Sequence, residues 1–233
     1  MVVPPSQQVP LEHVEKEGQA QPQHKMVGEY ALVATLGSGS FATVYKAVNE
    51  GKETVAIKAI ARNSAKITKK VLENLELEIS ILKKHRHPNI VALTQVHKTA
   101  SHFYLFLEYC AGGDLQRLIR TRKSGRLSEG LTRRLMRDLT LGLKFLGMQQ
   151  LIHRDIKPQN LLLTGVLPLD ETHDPCKTDA ENESRRKINF PTDQFHLKIA
   201  DFGFARHLQK TSMAATLCGS PLYMAPEILQ HQR

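Results

Sequence analysis

HRDIKPQN at residues 153–160 is the stretch on which the reading of this 233-residue chain turns, because DFG follows it at 201–203 and APE at 225–227. Each residue type suits a distinct task. Asp155 is a carboxylate able to accept or orient a hydroxyl proton, and Lys157, two positions on, brings an ammonium to the same place. Asn160 offers a carboxamide oxygen and Asp201 a carboxylate, the hard oxygen donors that suit a divalent cation such as Mg2+. Two further stretches lie upstream. GSGSFATV at 37–44 follows the strand-like run YALVATL and runs into VYKAV, so it reads as a hairpin whose tip amides can cover phosphates. VAIK at 55–58 places Lys58 in a β-branched run.

Taken singly, each of these is matched by an ordinary turn, a charged loop or a helix start. Five in this order resemble the signature set of protein kinases. The resemblance implies an α+β, bilobal protein kinase-like fold, with a β-rich N-lobe and an incomplete helical C-lobe, and ATP and Mg2+ as cofactors. It also implies that catalysis is mostly positioning and charge neutralisation. On that basis Asp155, Lys157, Lys58 and a partner glutamate are the catalytic set, and Asn160 and Asp201 hold the metal. The nucleotide is met by Leu36, Gly37, Ser38, Gly39, Ser40, Phe41, Ala42, Thr43 and Val44, by Ala56 and Lys58, by the backbone of Glu108 and Cys110, and by Asp114 at the ribose. Ala42 stands where the family has a third glycine, and its small side chain leaves access to phosphate.

The partner of Lys58 should lie on the next helix. Val71, Leu75, Ile79 and Leu82 recur at three- or four-residue spacing, which predicts an amphipathic helix over 69–84 that ends before Pro88. The resemblance implies Glu78 as the partner, since it lies nine residues before the HPNI segment at 87–90, where kinases place this glutamate; Glu73 and Glu76 are competitors on solvated faces. Strands are expected near 30–36, 43–49, 54–60, 90–97 and 102–107, with Leu107 as gatekeeper and Glu108, Tyr109 and Cys110 as hinge. Cys110 reads as a small lining residue rather than a redox group. Asp114 is also placed to cap the following helix. Ser128 and Glu129 look like the start of another helix, with Leu131, Leu135, Leu139, Leu143 and Leu146 along one face. His153 has no second ligand at helical spacing and reads as a packed structural histidine.

The domain division expected is a disordered tail over 1–29, rich in proline and glutamine, an N-lobe over 30–107, the hinge at 108–110 and a partial C-lobe over 111–233. The interval from Asn160 to Asp201 is longer than the family uses. Residues 165–196 mix charge, proline and asparagine without period, as an inserted surface loop would. Six residues follow Glu227 where the family continues through several helices, so the expectation is a fragment of a longer protein or a truncated product.

Composition narrows the partners. The net charge is +9, with Arg117, Arg120, Arg122, Lys123, Arg126, Arg133, Arg134 and Arg137 clustered along one region. No aromatic is interleaved with them and the chain has no tryptophan, so no nucleic acid is expected and the cluster reads as a solvated helix face; an acidic partner or an anionic membrane is the alternative. Three scattered cysteines, no secretory leader and no long apolar run fit a cytoplasmic protein.

Lys157 within HRDIKPQN and GSPLYMAPE downstream are similar to serine/threonine rather than tyrosine kinases. LKIADFGFAR, ATLCGSPLYMAPEIL, GSFATVYKA and LIHRDIKPQNLLL together resemble the autophagy-initiating, Unc-51-like kinases over residues 30–233 outside the insertion. That resemblance implies protein substrates phosphorylated on serine or threonine, autophagy regulatory proteins as partners and work at the autophagosome assembly site. It further implies Thr216 as an activating phosphosite, with Arg154 and Arg206 as the cations around its phosphate. Two other readings stay open. One is a calcium/calmodulin-dependent or energy-sensing kinase, and the other is an inactive nucleotide-binding or scaffolding fragment.

Overall fold

The computed structural model describes residues 24–39, 42–62, 67–166, 195–207 and 219–230. Its first layer is a six-stranded sheet built from β1 (Met26–Val27), β2 (Tyr30–Ser38), β3 (Ala42–Val48), β4 (Thr54–Ala61), β5 (Leu93–Lys98) and β6 (His102–Glu108). All neighbours pair antiparallel, in the order β1-β2-β3-β4-β6-β5. Strand alternation explains how both faces are used. On β6, Tyr104 and Phe106 join Val55, Ile57, Tyr30 and Val27 in one apolar cluster, while Phe103 and Leu105 turn to the opposite face. There they meet Leu75, Ile79 and Leu82 of α1 (Lys69–Lys84), whose first turn is capped by the Thr68 hydroxyl.

Two expectations about this lobe need correction. The tail was expected to run as far as residue 29, yet Met26 and Val27 pair with Ala31 and Tyr30, and Val27 is buried in the outer cluster. Two residues are too few to show a period, and Gly28 with its positive φ makes the tight turn that joins the strands. The strand expected from residue 90 begins at Leu93. Ile90 instead makes a parallel bridge to Ile199, so its apolar side chain serves the junction between the lobes.

The second layer contains α2 (Leu115–Thr121), α3 (Glu129–Met148), a small sheet in which β9 (Leu161–Leu163) lies between β7 (Gly113–Asp114) and β10 (Leu197–Ile199), and the pair of β8 (Leu151–Ile152) with β11 (Arg206–His207). Asp114 and Ser128 cap the two helices, accepting from Arg117 and Leu131 backbone N–H groups. Leu131, Leu135, Leu139 and Leu146 are buried, each worth about 1.5–3 kcal/mol by removal from water. Leu143 is not; it is 40 % exposed. At 3.6 residues per turn the core face reaches Gly142 instead, where an added Cβ would sit 2.9 Å from Ile199 Cδ1.

The apparent insertion leaves Asp201 well supported. β9 and β10 pair Leu163 with Leu197 and Leu161 with Ile199, and the Thr164 N–H donates to the His196 carbonyl at 3.0 Å. Lengthening a connection whose ends are already joined costs only about 0.6 kcal/mol per doubling. Residues 167–194 lie outside the described residues. Of the basic cluster, Arg117, Arg120, Lys123 and Arg126 are exposed as expected. Arg134 departs from a solvated face: its guanidinium lies 4.3 Å from the Phe195 ring centre and donates to the Phe195 carbonyl at 2.9 Å. Among the described residues no helix is long and apolar enough to cross a membrane.

Candidate active site

Lys58 reaches its partner because β4 and α1 share one core. Its Nζ lies 2.9 Å from Glu78 Oε1 and 3.3 Å from Asp201 Oδ1. Glu78 is 5 % exposed, whereas Glu73 and Glu76 are on the exposed side of α1. Burial alone would lower the Lys58 pKa, but the carboxylates of Glu78 and Asp201 outweigh it and hold the ammonium above its ordinary value. Cross-strand register sets the glycine-rich stretch against this lysine: Val44 lies opposite both Gly37 on β2 and Lys58 on β4. The Gly39 N–H donates to the Ala42 carbonyl at 2.8 Å, which closes the tip, and a Cβ at Gly37 would meet nothing within 4 Å. Leu36 and Ser38 are on the exposed end of β2, and the Ser38 and Thr43 hydroxyls are 3.4 Å apart. Ser40 and Phe41 lie outside the described residues. Ala56 is two residues from Lys58, hence on the same face of β4, and pairs with Leu107.

The catalytic-loop residues gather on Asp155. Its Oδ2 is 2.8 Å from Lys157 Nζ and accepts from Asn160 Nδ2 at 2.9 Å; its Oδ1 accepts from the Ser220 hydroxyl at 2.8 Å. Lys157 Nζ also donates to Ser220 Oγ at 2.6 Å, closing a triangle. Burial pushes the Asp155 pKa up, but these hydrogen bonds, Lys157's first, win and hold the carboxyl below its ordinary value. Asp155 is therefore ionised at neutral pH and aimed by three donors. Ser220 stands inside GSPLYMAPE, but a serine 65 positions from its partner has no spacing in the sequence that marks it.

Backbone geometry places the two metal-ligand candidates. Asn160 sits in a 3-10 turn over Pro158–Asn160, and both of its amide hydrogen bonds go to Asp155, leaving its Oδ1 unused by them. Asp201 has φ +62 and a side chain about half exposed, so one carboxylate oxygen is open beside the one that Lys58 holds. Among the described residues no three His, Cys, Asp or Glu side chains would hold a metal by themselves. Mg2+ commonly takes one or two carboxylates and completes its shell with waters and substrate phosphates, so this donor pair fits it.

His153 supports the loop from behind. Its Nε2 is 3.0 Å from the Ala200 carbonyl, its Nδ1 accepts from the Asp155 N–H at 3.3 Å, and its ring meets Phe202 edge-on at 4.9 Å. One nitrogen donating and the other accepting describes a neutral imidazole. Burial keeps its pKa below the ordinary value despite the Ala200 carbonyl and the carboxylates of Asp201 and Asp155. The same direction holds for His87, lowered by burial and then by Lys198. The unfolded chain protonates these rings at about 6.5, so it binds more protons below that pH and stability falls as pH drops through it. Thermal melts at about pH 7.5 and about pH 5.5 check this. The midpoint should fall on acidification, and by less in His153→Gln; an acid midpoint equal to or above the neutral one would contradict the assignment.

The remaining candidates are placed as follows. Cys110 is buried at the hinge, and burial, followed by Glu108, pushes its thiol up to about 12, so it is protonated and unreactive at neutral pH. Asp114 spends Oδ1 on the α2 cap at 2.8 Å. Arg154 has φ +68, and its carbonyl would be 2.4 Å from a Cβ at Gly219, so Gly219 packs directly onto the loop that carries Asp155. β11 pairs Arg206 with Ile152, two residues before Arg154. Thr216 lies outside the described residues.

The protein kinase domain family matches residues 30–233. The chain is 48% identical over 228 residues to the serine/threonine-protein kinase ATG1 of Kluyveromyces lactis, covering 88% of this chain and 26% of that protein. It is 46% identical over 230 residues to the Candida glabrata protein of the same name, covering 88% and 24%. With atg1 of Penicillium rubens it shares 42% over 253 residues, covering 95% and 25%. The chain thus spans about a quarter of the length of these relatives. With the family match running from β2 through the DFG and APE segments, the chain belongs to the protein kinase domain family.

Proposed function

We propose that this chain is the catalytic part of a serine/threonine protein kinase that moves the γ-phosphate of ATP to protein hydroxyls with Mg2+. The observation that carries it is the triangle of Asp155, Lys157 and Ser220, which holds an ionised carboxylate and an ammonium side by side. Asp155 orients the incoming hydroxyl and takes its proton, and Lys157 meets the negative charge of the phosphoryl group in flight. Lys58, fixed by Glu78, orients the α- and β-phosphates, while Gly37 to Val44 cover them and the backbone at Glu108 and Cys110 holds adenine. Asp114 meets the ribose with the oxygen not used in capping. When bound at Asn160 and Asp201, Mg2+ would neutralise the phosphates.

The likeness to the ATG1 relatives supports a role in autophagy initiation, in the cytoplasm at the site of autophagosome assembly, with autophagy regulatory proteins as partners. Thr216 would be the activating phosphosite. The pairing of β11 with β8 supports Arg154 and Arg206 as the cations that receive its phosphate, because it sets Arg206 opposite Ile152, two residues before Arg154.

Transfer of labelled phosphate from ATP to serine, threonine and tyrosine peptides tests the assignment. The protein should label serine and threonine peptides only. Ser220→Ala should cost about tenfold in kcat, the value of one hydrogen bond to a charged group, with the KM for ATP unchanged, and Ser220→Thr should restore it. Labelling of tyrosine, or of no peptide in Mg2+, would sink the proposal.

A further inference from the structure

Glu108 ends β6 where the hinge begins, and one oxygen of its carboxylate is a junction. Oε2 lies 2.9 Å from Lys198 Nζ and accepts from the Ala92 N–H at 3.3 Å, while the Glu108 N–H returns to the Ala92 carbonyl at 2.9 Å. The segment leading to Ala92 is stitched in turn to β10. Asn89 Nδ2 donates to the Leu197 carbonyl at 2.9 Å, the Ile199 N–H to the Asn89 carbonyl at 2.9 Å, and the Val91 N–H to the Ile199 carbonyl at 3.0 Å. Three segments far apart in sequence therefore meet at one carboxylate: the entry to β5, the hinge, and the strand that ends two residues before Asp201.

Burial of Lys198 is not explained by packing. Leu197 and Ile199 project into the apolar core, and the alternation of β10 sends Lys198 the other way, yet it is only 8 % exposed. An ion pair taken out of water contributes little net stability, and an apolar residue of similar volume often serves as well or better. What a charged pair adds is a directional link that holds two segments in register.

We propose that Lys198 and Glu108 are positioning residues that brace the hinge against the strand carrying Asp201, so that nucleotide at the hinge and Mg2+ at Asp201 bind cooperatively. This deepens the kinase reading and rests on it. Each ligand fixes one end of the same brace, and a coupling between two sites is reciprocal. Cutting the brace should therefore reduce the coupling more than it reduces either binding alone.

The test is titration of the protein with a fluorescent ATP analogue, with and without Mg2+, at a temperature where circular dichroism shows every variant folded. Lys198→Met and Glu108→Gln should each shrink the factor by which Mg2+ tightens nucleotide binding about fivefold, within the range of ordinary allosteric couplings. The double variant should be no worse than either single one, as expected when both remove the same interaction. If Lys198→Met does not fold, Glu108→Gln carries the test, since it removes the charge that makes the pair an ion pair while its amide oxygen still accepts from Ala92. An unchanged Mg2+ enhancement in a folded single variant, or additive losses in the double, overturns the brace and leaves the kinase reading standing. Failure of the unaltered protein to bind the analogue overturns both.

Discussion

Asp155→Asn should lower phosphoryl transfer about 10³-fold while leaving nucleotide affinity within about twofold. The substitution keeps the shape of the side chain and removes two properties. The amide cannot take a proton, and it no longer presents the anion on which Lys157, Ser220 and Asn160 converge. The depressed pKa of Asp155 means that the lost charge is present throughout the neutral range, so no change of pH within it should restore transfer. Asp155→Glu restores charge but extends the side chain by one carbon, and a misplacement of about 1 Å at a reacting centre is enough to cost about 10²-fold. Single-turnover transfer from labelled ATP and a separate nucleotide titration make the check. Transfer within about threefold of the unaltered protein would remove Asp155 from the chemistry, and an equal fall in nucleotide affinity would make it a binding residue instead.

How legible this arrangement was depends on where each chemical requirement is written. Asp155, Lys157, Asn160 and Asp201 lie in contiguous motifs, so residue type and spacing could be read together. Glu78 needed one more step: periodicity predicted the helix, the offset to HPNI in the resembling family picked the residue, and the structure brings it to Lys58. Ser220 and the pair Lys198 and Glu108 were out of reach because their partners are distant in sequence and meet only through tertiary packing. A serine hydroxyl and a lysine ammonium are common enough that nothing local marks them. β1 was hidden by its length, since two residues show no period, and only the burial of Val27 reveals its contribution. Leu143 marks the limit of a four-residue template, because the drift of a real helix hands its place to Gly142. The long interval before Asp201 reads as an inserted loop, and the pairing of its flanks as β9 and β10 gives the mechanical reason that Asp201 stays in place.

Lys58→Met should cost about 10²-fold in transfer and also destabilise the fold by about 2–3 kcal/mol, and the two losses should be separable. The ammonium holds Glu78, which is buried, and Asp201, which is half exposed. Removing it leaves the Glu78 carboxylate without its counter-charge in an apolar setting, and that is the source of the stability loss. The Asp201 contact contributes little because water screens it. Because the folded pKa of Lys58 is raised, the stabilisation it provides is fully present below its unfolded value of about 10.4 and is lost only as pH rises through the folded one. The loss in Lys58→Met should therefore be undiminished at neutral pH. A second change, Glu78→Leu in the Lys58→Met background, removes the stranded charge and should recover most of the stability. It cannot recover transfer, since the ammonium assigned to the α- and β-phosphates is gone. Denaturant melts and transfer rates of the two variants distinguish the roles. If the double variant regains transfer along with stability, Lys58 acts only by holding α1 in place, and its assignment to the nucleotide phosphates falls.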